Sequence, residues 1–195
     1  MGKEYLIDVD GVVVRPRHKY FSQKLSEEHN IPMDEVLPFF KGDYKRAAIG
    51  EVDIREVLPP YLQKWNWQGT VDEFLNYWFE SEKDLDQKVL EIVKELRESG
   101  NKVHLASDNE ANRAKYLMEE LGLKDIFDSA FFSADLGVTK SDPEFFKKIA
   151  EKLGVNITEL NYWDDDQKNV DVASALGVTT HLYTTPENFE IDSKR

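Results

Sequence analysis

The spacing of apolar residues predicts alternating helices and strands over the second half of the chain. In LDQKVLEIVKELRESG, residues 85–100, apolar side chains recur at steps of four, three and four, the period of an amphipathic helix, and Gly100 follows as a C-cap. The next segment, KVHLAS at 102–107, is a short apolar run typical of a buried strand. YLIDV, residues 5–9, has the same character and is predicted to be the first strand.

Three more helices and three more strands follow with the same alternation. The helices are predicted over 109–122, 141–154 and 169–177, and the strands over 129–134, 160–163 and 178–183. Ser141 is the expected N-cap of its helix, with Glu144 three residues later and Gly154 as the stop. Strands separated by helices indicate βαβ units, so the pattern predicts an α/β fold with a mostly parallel sheet.

Residues 15–83 interrupt this rhythm, because they contain several helical patterns and no convincing strand. We interpret them as an all-helical insertion after the first strand. Seven aromatic residues crowd its second half, and we expect them mainly to build a small core of the insertion, with ligand contact by a few as the alternative. The last residues, 187–195, are predicted to be loose surface.

Composition limits the partners. The 195 residues are 41% hydrophobic and 32% charged, which fits one soluble domain or one core with an insertion. The net charge of −13 argues against nucleic acid or an anionic membrane as the main partner, and a phosphate site would need a local cation. Cysteine is absent, so thiol chemistry is excluded. With no signal peptide and no transmembrane stretch recognised, we expect a cytoplasmic location.

Polar residues with catalytic potential follow four of the predicted strands. In an open parallel sheet these carboxyl ends meet at one edge, where ligands bind. Two like charges about 4 Å apart cost about 4 kcal/mol at an effective dielectric near 20, and a divalent cation removes that cost. Oxygen ligands of this kind suit Mg²⁺. The candidates are Asp8 and Asp10, Ser107, Lys140, and the run Asp164, Asp165 and Asp166.

These residues lie in four motifs that together resemble the haloacid dehalogenase-like (HAD) superfamily, whose members are mostly phosphatases. The motifs are DVDGV at 8–12, a serine after an apolar strand at Ser107, KSDPE from Lys140, and DDDQKNVDVASALG from Asp164. The resemblance implies a Rossmann-like catalytic core, residues 1–14 and 84–195, with a helical cap at 15–83. Two positions depart from the family pattern: Asp108, where Asn is frequent, and Ser141, where Pro is common.

The resemblance also implies a reaction. The chain is expected to be a Mg²⁺-dependent phosphatase that acts on a small phosphorylated metabolite. Asp8 would be the nucleophile that forms an aspartyl-phosphate, and Asp10 the general acid and base. Ser107 and Lys140 would bind the phosphoryl group. The implied ligands of Mg²⁺ are the Asp8 side chain, the Asp10 backbone carbonyl and Asp165, with Asp164 close by.

Each motif has a simpler local explanation. Asp8 and Asp10 are also typical of a turn. The run of three aspartates is also typical of a helix start, which is the expected role of Asp166. Lys140 could be an ordinary lysine on an exposed surface. Ser107 could act only as an N-cap. His104 and His181 lie in predicted strands and are expected to be packed or hydrogen-bonded. Three residues after the first motif are candidates to line the cleft between cap and core: Arg15, Arg17 and His18.

Other functions share parts of this pattern. A haloacid dehalogenase or a phosphonatase resembles the chain less, because those enzymes lack an acid at the position of Asp10. A phosphate-transfer receiver uses the same residue types, but its acid pair comes first in the chain. A phosphomutase would keep all four motifs, and a non-enzymatic HAD-fold binding protein is the remaining alternative. The sequence names neither the substrate nor the oligomeric state.

Overall fold

The computed structural model of the chain describes residues 2–16 and 19–193, with only the backbone of Asp192. Arg17 and His18, two of the residues expected to line the cleft, lie outside the described residues. Arg15 is described, and its guanidinium lies 3.7 Å from a carboxylate oxygen of Asp84 and 3.5 Å from one of Asp86.

A five-stranded parallel sheet forms the centre of the fold, which confirms the predicted α/β class. Its order is β3-β2-β1-β4-β5, so β1 lies in the middle. In β1, Ile7 is level with Leu105 of β2 and Trp163 of β4, which brings the ends of these three strands to one edge. The strands are β1 Glu4–Ile7, β2 Lys102–Ser107, β3 Ser129–Phe132, β4 Leu160–Asp164 and β5 Thr179–Leu182.

Helices cover both faces of the sheet because successive strand residues point to opposite sides. Tyr5 and Ile7 belong to the hydrophobic cluster on one face, and Leu6, between them, belongs to the cluster on the other. All three are buried. The α-helices of this part are α7 Gln87–Glu98, α8 Ala111–Lys115, α9 Ser133–Leu136, α10 Pro143–Leu153, α11 Gln167–Ser174 and α12 Pro186–Ser193.

Between β1 and α7 the described chain folds into six helices, as the sequence predicts. Their aromatic side chains pack into a hydrophobic cluster of their own that includes Phe39, Trp65, Phe74 and Trp78, so the expected small core is confirmed. The helices are α1 Phe21–His29, α2 Met33–Lys41, α3 Asp43–Ala48, α4 Ile54–Val57, α5 Pro59–Lys64 and α6 Val71–Glu80. Every helix in the described part of the chain is too short or too polar to cross a membrane.

The chain enters and leaves this helical segment at adjacent points. Val14 and Leu85 form an isolated antiparallel bridge. The backbone N–H of Arg15 donates to the carbonyl oxygen of Asp84 at 2.8 Å, and that of Asp86 donates to Val13 at 2.9 Å. These paired connections hold the two ends of the segment beside the carboxyl edge of the sheet.

Several predicted boundaries were wrong, and the C-terminal segment most clearly. Residues 186–193 form α12 rather than loose surface, because Phe189 is buried and packs against Trp163 with ring centroids 5.3 Å apart. The N-cap of α10 is Asp142, whose side chain accepts from the N–H of Glu144, rather than Ser141. Strand β3 ends at Phe132, because Ser133 begins α9.

Candidate active site

The turn after β1 positions Asp8 and Asp10 at the centre of the carboxyl edge. Asp8 is buried, and one of its carboxylate oxygens accepts a hydrogen bond from the N–H of Val9 at 2.7 Å. Gly11 has φ of +97°, a conformation that residues with a Cβ rarely adopt. A Cβ at this position would lie 2.1 Å from Oδ2 of Asp165, so only glycine lets the turn approach that carboxylate.

Lys140 joins two of the aspartates. Its Nζ lies 2.6 Å from Oδ1 of Asp8 and 2.8 Å from Oδ2 of Asp164, and all three side chains are buried. Burial alone would lower the pKa of Lys140, but the charges of Asp8 and Asp164 outweigh burial and raise it, so the ammonium stays charged. Lys140 is therefore part of the site and not the exposed lysine of the alternative explanation.

Asp108 has a structural role in this arrangement. Its Oδ1 accepts a hydrogen bond from the backbone N–H of Lys140 at 2.9 Å. This bond ties the loop after β2 to the loop that carries Lys140. Burial raises the pKa of the Asp108 carboxyl, and the charge of Lys140 and this hydrogen bond oppose the rise. The departure from the family's frequent Asn thus places a third carboxyl group near the ammonium.

Both carboxylate oxygens of Asp164 accept hydrogen bonds. Its carboxylate accepts from the hydroxyl of Tyr162, from Nδ2 of Asn169 at 3.2 Å and from the backbone N–H of Asp166 at 2.7 Å. It is fully buried. These bonds and the ion pair with Lys140 compensate for the removal of its charge from water.

The charge of Asp8 is less fully compensated. Burial raises the pKa of the Asp8 carboxyl to about 8, with the charge of Lys140 opposing the rise and that of Asp164 adding to it. Lys140 outweighs the repulsion from Asp164 and Asp10, so the net rise comes from burial, which removes the carboxylate from water. A bound cation would favour the charged form of Asp8.

Three carboxylates have the arrangement expected of a metal site. One oxygen each from Asp8, Asp164 and Asp165 lie within 4.8 Å of one another. Asp165 is the exposed member, and partial burial together with the charge of Asp164 raises its pKa. A set made only of oxygen atoms, open to water on one side, fits the chemistry of Mg²⁺. Asp10, the fourth predicted ligand, was expected to contribute its backbone carbonyl, and that remains a prediction.

The carboxylate of Asp10 points toward the loop after β2. Its Oδ2 accepts from Nδ2 of Asn109 at 3.1 Å, and its Oδ1 lies 3.9 Å from a guanidinium nitrogen of Arg113. Nδ2 of Asn109 also donates to Oγ of Ser107 at 2.9 Å. Asn109 and Arg113 were missed in the sequence, where the only available signal was their position shortly after Ser107.

The predicted site residues meet in one cavity of about 610 Å³ at the carboxyl edge of the sheet. The insertion contributes Lys19, Tyr20 and Gln23 to its wall. The six residues with predicted roles that line it are Asp8, Asp10, Ser107, Lys140, Asp164 and Asp165.

The simpler explanations hold for some residues and fail for others. Asp166 caps α11 by accepting from the N–H of Lys168, as expected of a helix start. Ser107 is not an N-cap, because Glu110 caps α8. His104 bridges two strands, with its ring nitrogens 2.6 Å from Oγ of Ser129 and 2.7 Å from a carboxylate oxygen of Glu4. His181 stacks on Trp163 with centroids 4.2 Å apart, so both histidines are packed as predicted.

Two curated relatives are phosphatases by name. The phosphorylated carbohydrates phosphatase of Thermotoga maritima is 23% identical over 182 residues, which cover 89% of this chain and 81% of that protein. The sesquiterpene phosphatase of Aspergillus oryzae is 31% identical over 98 residues, half of each chain. The match to this second relative thus spans only half of its length.

Solved structures share the fold. An aspartate-to-alanine variant of a HAD family enzyme from Bacteroides thetaiotaomicron, in complex with magnesium and inorganic phosphate, superposes with a TM-score of 0.80. The two chains are 20% identical, and the match covers 94% of this chain and 95% of the other. The model of the haloacid dehalogenase-like hydrolases matches residues 5–177. This chain therefore belongs to the haloacid dehalogenase-like hydrolase family.

Proposed function

We propose that this protein is a Mg²⁺-dependent phosphatase that hydrolyses a small phosphorylated metabolite through an aspartyl-phosphate. One observation carries the proposal: Asp8, Asp10, Ser107 and Lys140 line the same cavity as a carboxylate trio suited to a cation. The phosphatase names of the two curated relatives support the reaction, and the magnesium and phosphate bound by the structural relative support the ligands.

In the first step an Oδ of Asp8 attacks phosphorus. The new bond joins this oxygen to phosphorus, and the bond from phosphorus to the leaving oxygen breaks. Asp10 gives its proton to the leaving oxygen, so the product departs as an alcohol. The ammonium of Lys140, 2.6 Å from Asp8, favours the carboxylate form that the attack requires.

In the second step water attacks the phosphorus of the aspartyl-phosphate. Asp10, now a carboxylate, takes a proton from the water, and the bond between phosphorus and Asp8 breaks to release inorganic phosphate. Asn109 holds Asp10 through the 3.1 Å hydrogen bond, which orients the carboxylate for both proton transfers. The hydroxyl of Ser107 and the ammonium of Lys140 are the donors proposed to bind the phosphoryl oxygens.

Asp8, Asp165 and the backbone carbonyl of Asp10 would hold Mg²⁺, with Asp164 close by. When bound, the cation neutralises charge on the phosphoryl oxygens and on the clustered carboxylates. The residues present fit this group, since their oxygens converge and no nitrogen or sulfur ligand competes within the trio.

The domain assignment is part of the same proposal. Residues 1–14 and 84–195 would form the catalytic core, and residues 15–83 a cap that covers the substrate. The paired connections at Val14 and Leu85 support these boundaries, because they are where the chain passes between the two parts. A cap that closes over the cavity would exclude water from the first step.

Hydrolysis of para-nitrophenyl phosphate tests the proposed reaction. Activity should require Mg²⁺, disappear in EDTA, return on addition of Mg²⁺, and be absent from Asp8→Asn. Activity that persists in EDTA would contradict the metal assignment. Absence of phosphate release from any of a broad set of phosphorylated metabolites would point to the binding-protein alternative, and transfer of phosphate between substrate positions to a phosphomutase.

A further inference from the structure

A second cavity, of about 290 Å³, lies between Asp10 and the helices of the insertion. It shares Asp10, Tyr20 and Asp108 with the larger cavity, whereas Asp8 and Lys140 line only the larger one. In an in-line displacement, the nucleophile and the leaving oxygen are on opposite sides of phosphorus. A leaving oxygen that takes its proton from Asp10 therefore carries its organic group away from Asp8 and toward the cavities beside Asp10, of which this one has an aromatic wall.

The insertion contributes a wall of aromatic rings to this cavity. Trp78 is central, since it stacks on Phe21 with centroids 4.7 Å apart and contacts Phe40 and Tyr44, each at 5.3 Å. Because the rings support one another, the wall is formed before any ligand arrives. Besides Tyr20, which is largely exposed, the aromatic residues that line the cavity are Phe21, Phe40, Tyr44, Trp78 and Phe79.

Most polar groups on the opposite wall already have partners, and among the described residues the exception is Nε of Arg113, which is buried without one. Glu110 accepts from the backbone N–H groups of Asn112 and Arg113. The guanidinium of Arg113 donates to the carbonyl oxygens of Phe79 and Glu82. Asn109 donates to Asp10 and Ser107. Apart from Nε of Arg113, the hydrogen bonds of these groups are made within the protein, and the aromatic wall is the main surface that the cavity offers to a ligand.

We propose that this cavity binds the organic part of the substrate, and that the substrate is the phosphate monoester of a compact, largely apolar alcohol rather than a sugar phosphate. The inference rests on the proposed phosphatase function. An apolar cavity of about 150 Å³ holds benzene, so one of 290 Å³ holds a single ring or a short branched chain. Each sugar hydroxyl left without a partner there would lower kcat/KM roughly tenfold.

The direct test compares kcat/KM for benzyl phosphate and glucose 6-phosphate in the presence of Mg²⁺. Both leaving groups are primary alcohols, so their intrinsic reactivity is matched. The ratio of the two kcat/KM values therefore measures the preference of the cavity for one organic group over the other. We expect benzyl phosphate to be preferred at least tenfold. Equal or faster hydrolysis of glucose 6-phosphate would overturn the inference, and would agree instead with the carbohydrate substrate named for the Thermotoga maritima relative.

Phe40→Ala tests the wall itself, since Phe40 is only partly buried and faces the cavity. It should lower kcat/KM about tenfold for benzyl phosphate and less than twofold for acetyl phosphate, whose acyl group is too small to fill the cavity. Phe40→Leu, a more conservative substitution, should lower the ratio of kcat/KM for benzyl phosphate to kcat/KM for acetyl phosphate by less than Phe40→Ala does. Tyr61→Ala is the control, because Tyr61 packs in the same aromatic cluster without lining the cavity.

Turnover of acetyl phosphate distinguishes a failure of the pocket assignment from a failure of the proposed phosphatase function. Turnover of acetyl phosphate without a preference for benzyl phosphate would overturn the pocket assignment and leave the phosphatase function standing. Absence of turnover for all three substrates would overturn the pocket assignment, and the phosphatase function would fall with it if para-nitrophenyl phosphate and the broad set of phosphorylated metabolites were also left intact. An unchanged ratio of benzyl to acetyl phosphate turnover in folded Phe40→Ala would also contradict the role of the wall.

Discussion

Asp165 lies against the backbone of Gly11, so closely that a Cβ on Gly11 would be 2.1 Å from the Asp165 carboxylate. Gly11 belongs to the turn after β1 and Asp165 to the loop after β4, two adjacent strands of the sheet. The absence of a side chain at one position therefore fixes where the proposed metal ligand at the other can lie. Gly11, in the first motif, thus both permits its own turn and leaves the space that Asp165 of the fourth motif occupies.

Gly11→Ala should displace Asp165 and weaken Mg²⁺ binding. We expect at least a tenfold rise in the Mg²⁺ concentration needed for half-maximal phosphatase activity. Gly137→Ala is a matched control, because Gly137 also has positive φ, +72°, but a Cβ there meets no atom within 4 Å. If both variants shift the Mg²⁺ requirement equally, backbone strain and not the contact with Asp165 is responsible.

Asp165→Asn and Asp166→Asn separate a metal ligand from a helix cap. A ligand that binds only the native state stabilises it by about 2.7 kcal/mol at 100 times its Kd. Mg²⁺ should therefore raise the Tm of the unmodified protein and of Asp166→Asn, and raise that of Asp165→Asn by much less. Thermal unfolding with and without Mg²⁺ measures this. A full shift in Asp165→Asn would place the cation elsewhere.

Asn109→Ala should impair the proton transfers proposed for Asp10, because Asn109 holds the Asp10 carboxylate. Loss of a positioned proton donor costs about 10²–10⁴-fold, and loss of its support should cost less, about tenfold to a hundredfold. The loss should be large for benzyl phosphate, whose leaving oxygen needs a proton. It should be small for formation of the phosphoenzyme from para-nitrophenyl phosphate, which leaves readily as an anion. Equal losses for both substrates would indicate general damage to the site.

A pH-dependent contribution to stability is expected away from the site, at Asp128. Burial tends to raise the pKa of its carboxyl, but the N–H of Val103 and the charges of Lys102 and Arg97 outweigh burial and lower it. A pKa that is lower in the folded state stabilises the protein above about pH 4, the value in the unfolded chain, and less as pH falls through the folded pKa.

Asp128→Asn should thus lower the free energy of unfolding by about 1 kcal/mol at pH 7, with a smaller difference below pH 4. Urea unfolding at several pH values measures it. Asp125→Asn, a change at an exposed neighbour, should leave the stability nearly unchanged at every pH. A difference for Asp128→Asn that stays constant down to pH 2 would contradict the assigned pKa direction.

Most of the fold and the main candidate residues of the site could be predicted from the sequence. The apolar runs and the helical period marked all five strands and the principal helices, because burial on both faces of a parallel sheet leaves a strong pattern. The C-terminal helix was missed, since its anchoring depends on the packing of one residue, Phe189, against Trp163. That contact is between residues far apart in the chain.

The missed site residues have the same explanation. Asn109 donates a hydrogen bond to Asp10, which lies 99 positions away in the chain. Arg113 donates to the carbonyl oxygens of Phe79 and Glu82, near the end of the insertion. Neither side chain has a local pattern that separates it from a surface residue. The four motifs could be recognised in the sequence because each one follows a strand. The contacts of Asn109 and Arg113 form only when separate loops come together in the fold.

The central claim is that Asp8 carries the phosphoryl group and Asp10 moves the protons. Intact mass spectrometry after acid quench, with para-nitrophenyl phosphate and Mg²⁺, tests both roles at once. In Asp10→Asn the good leaving group still allows transfer to Asp8, but no base activates water, so one phosphate should accumulate on the protein. Asp8→Asn should carry none. An adduct on Asp8→Asn and none on Asp10→Asn would mean that the two roles are reversed.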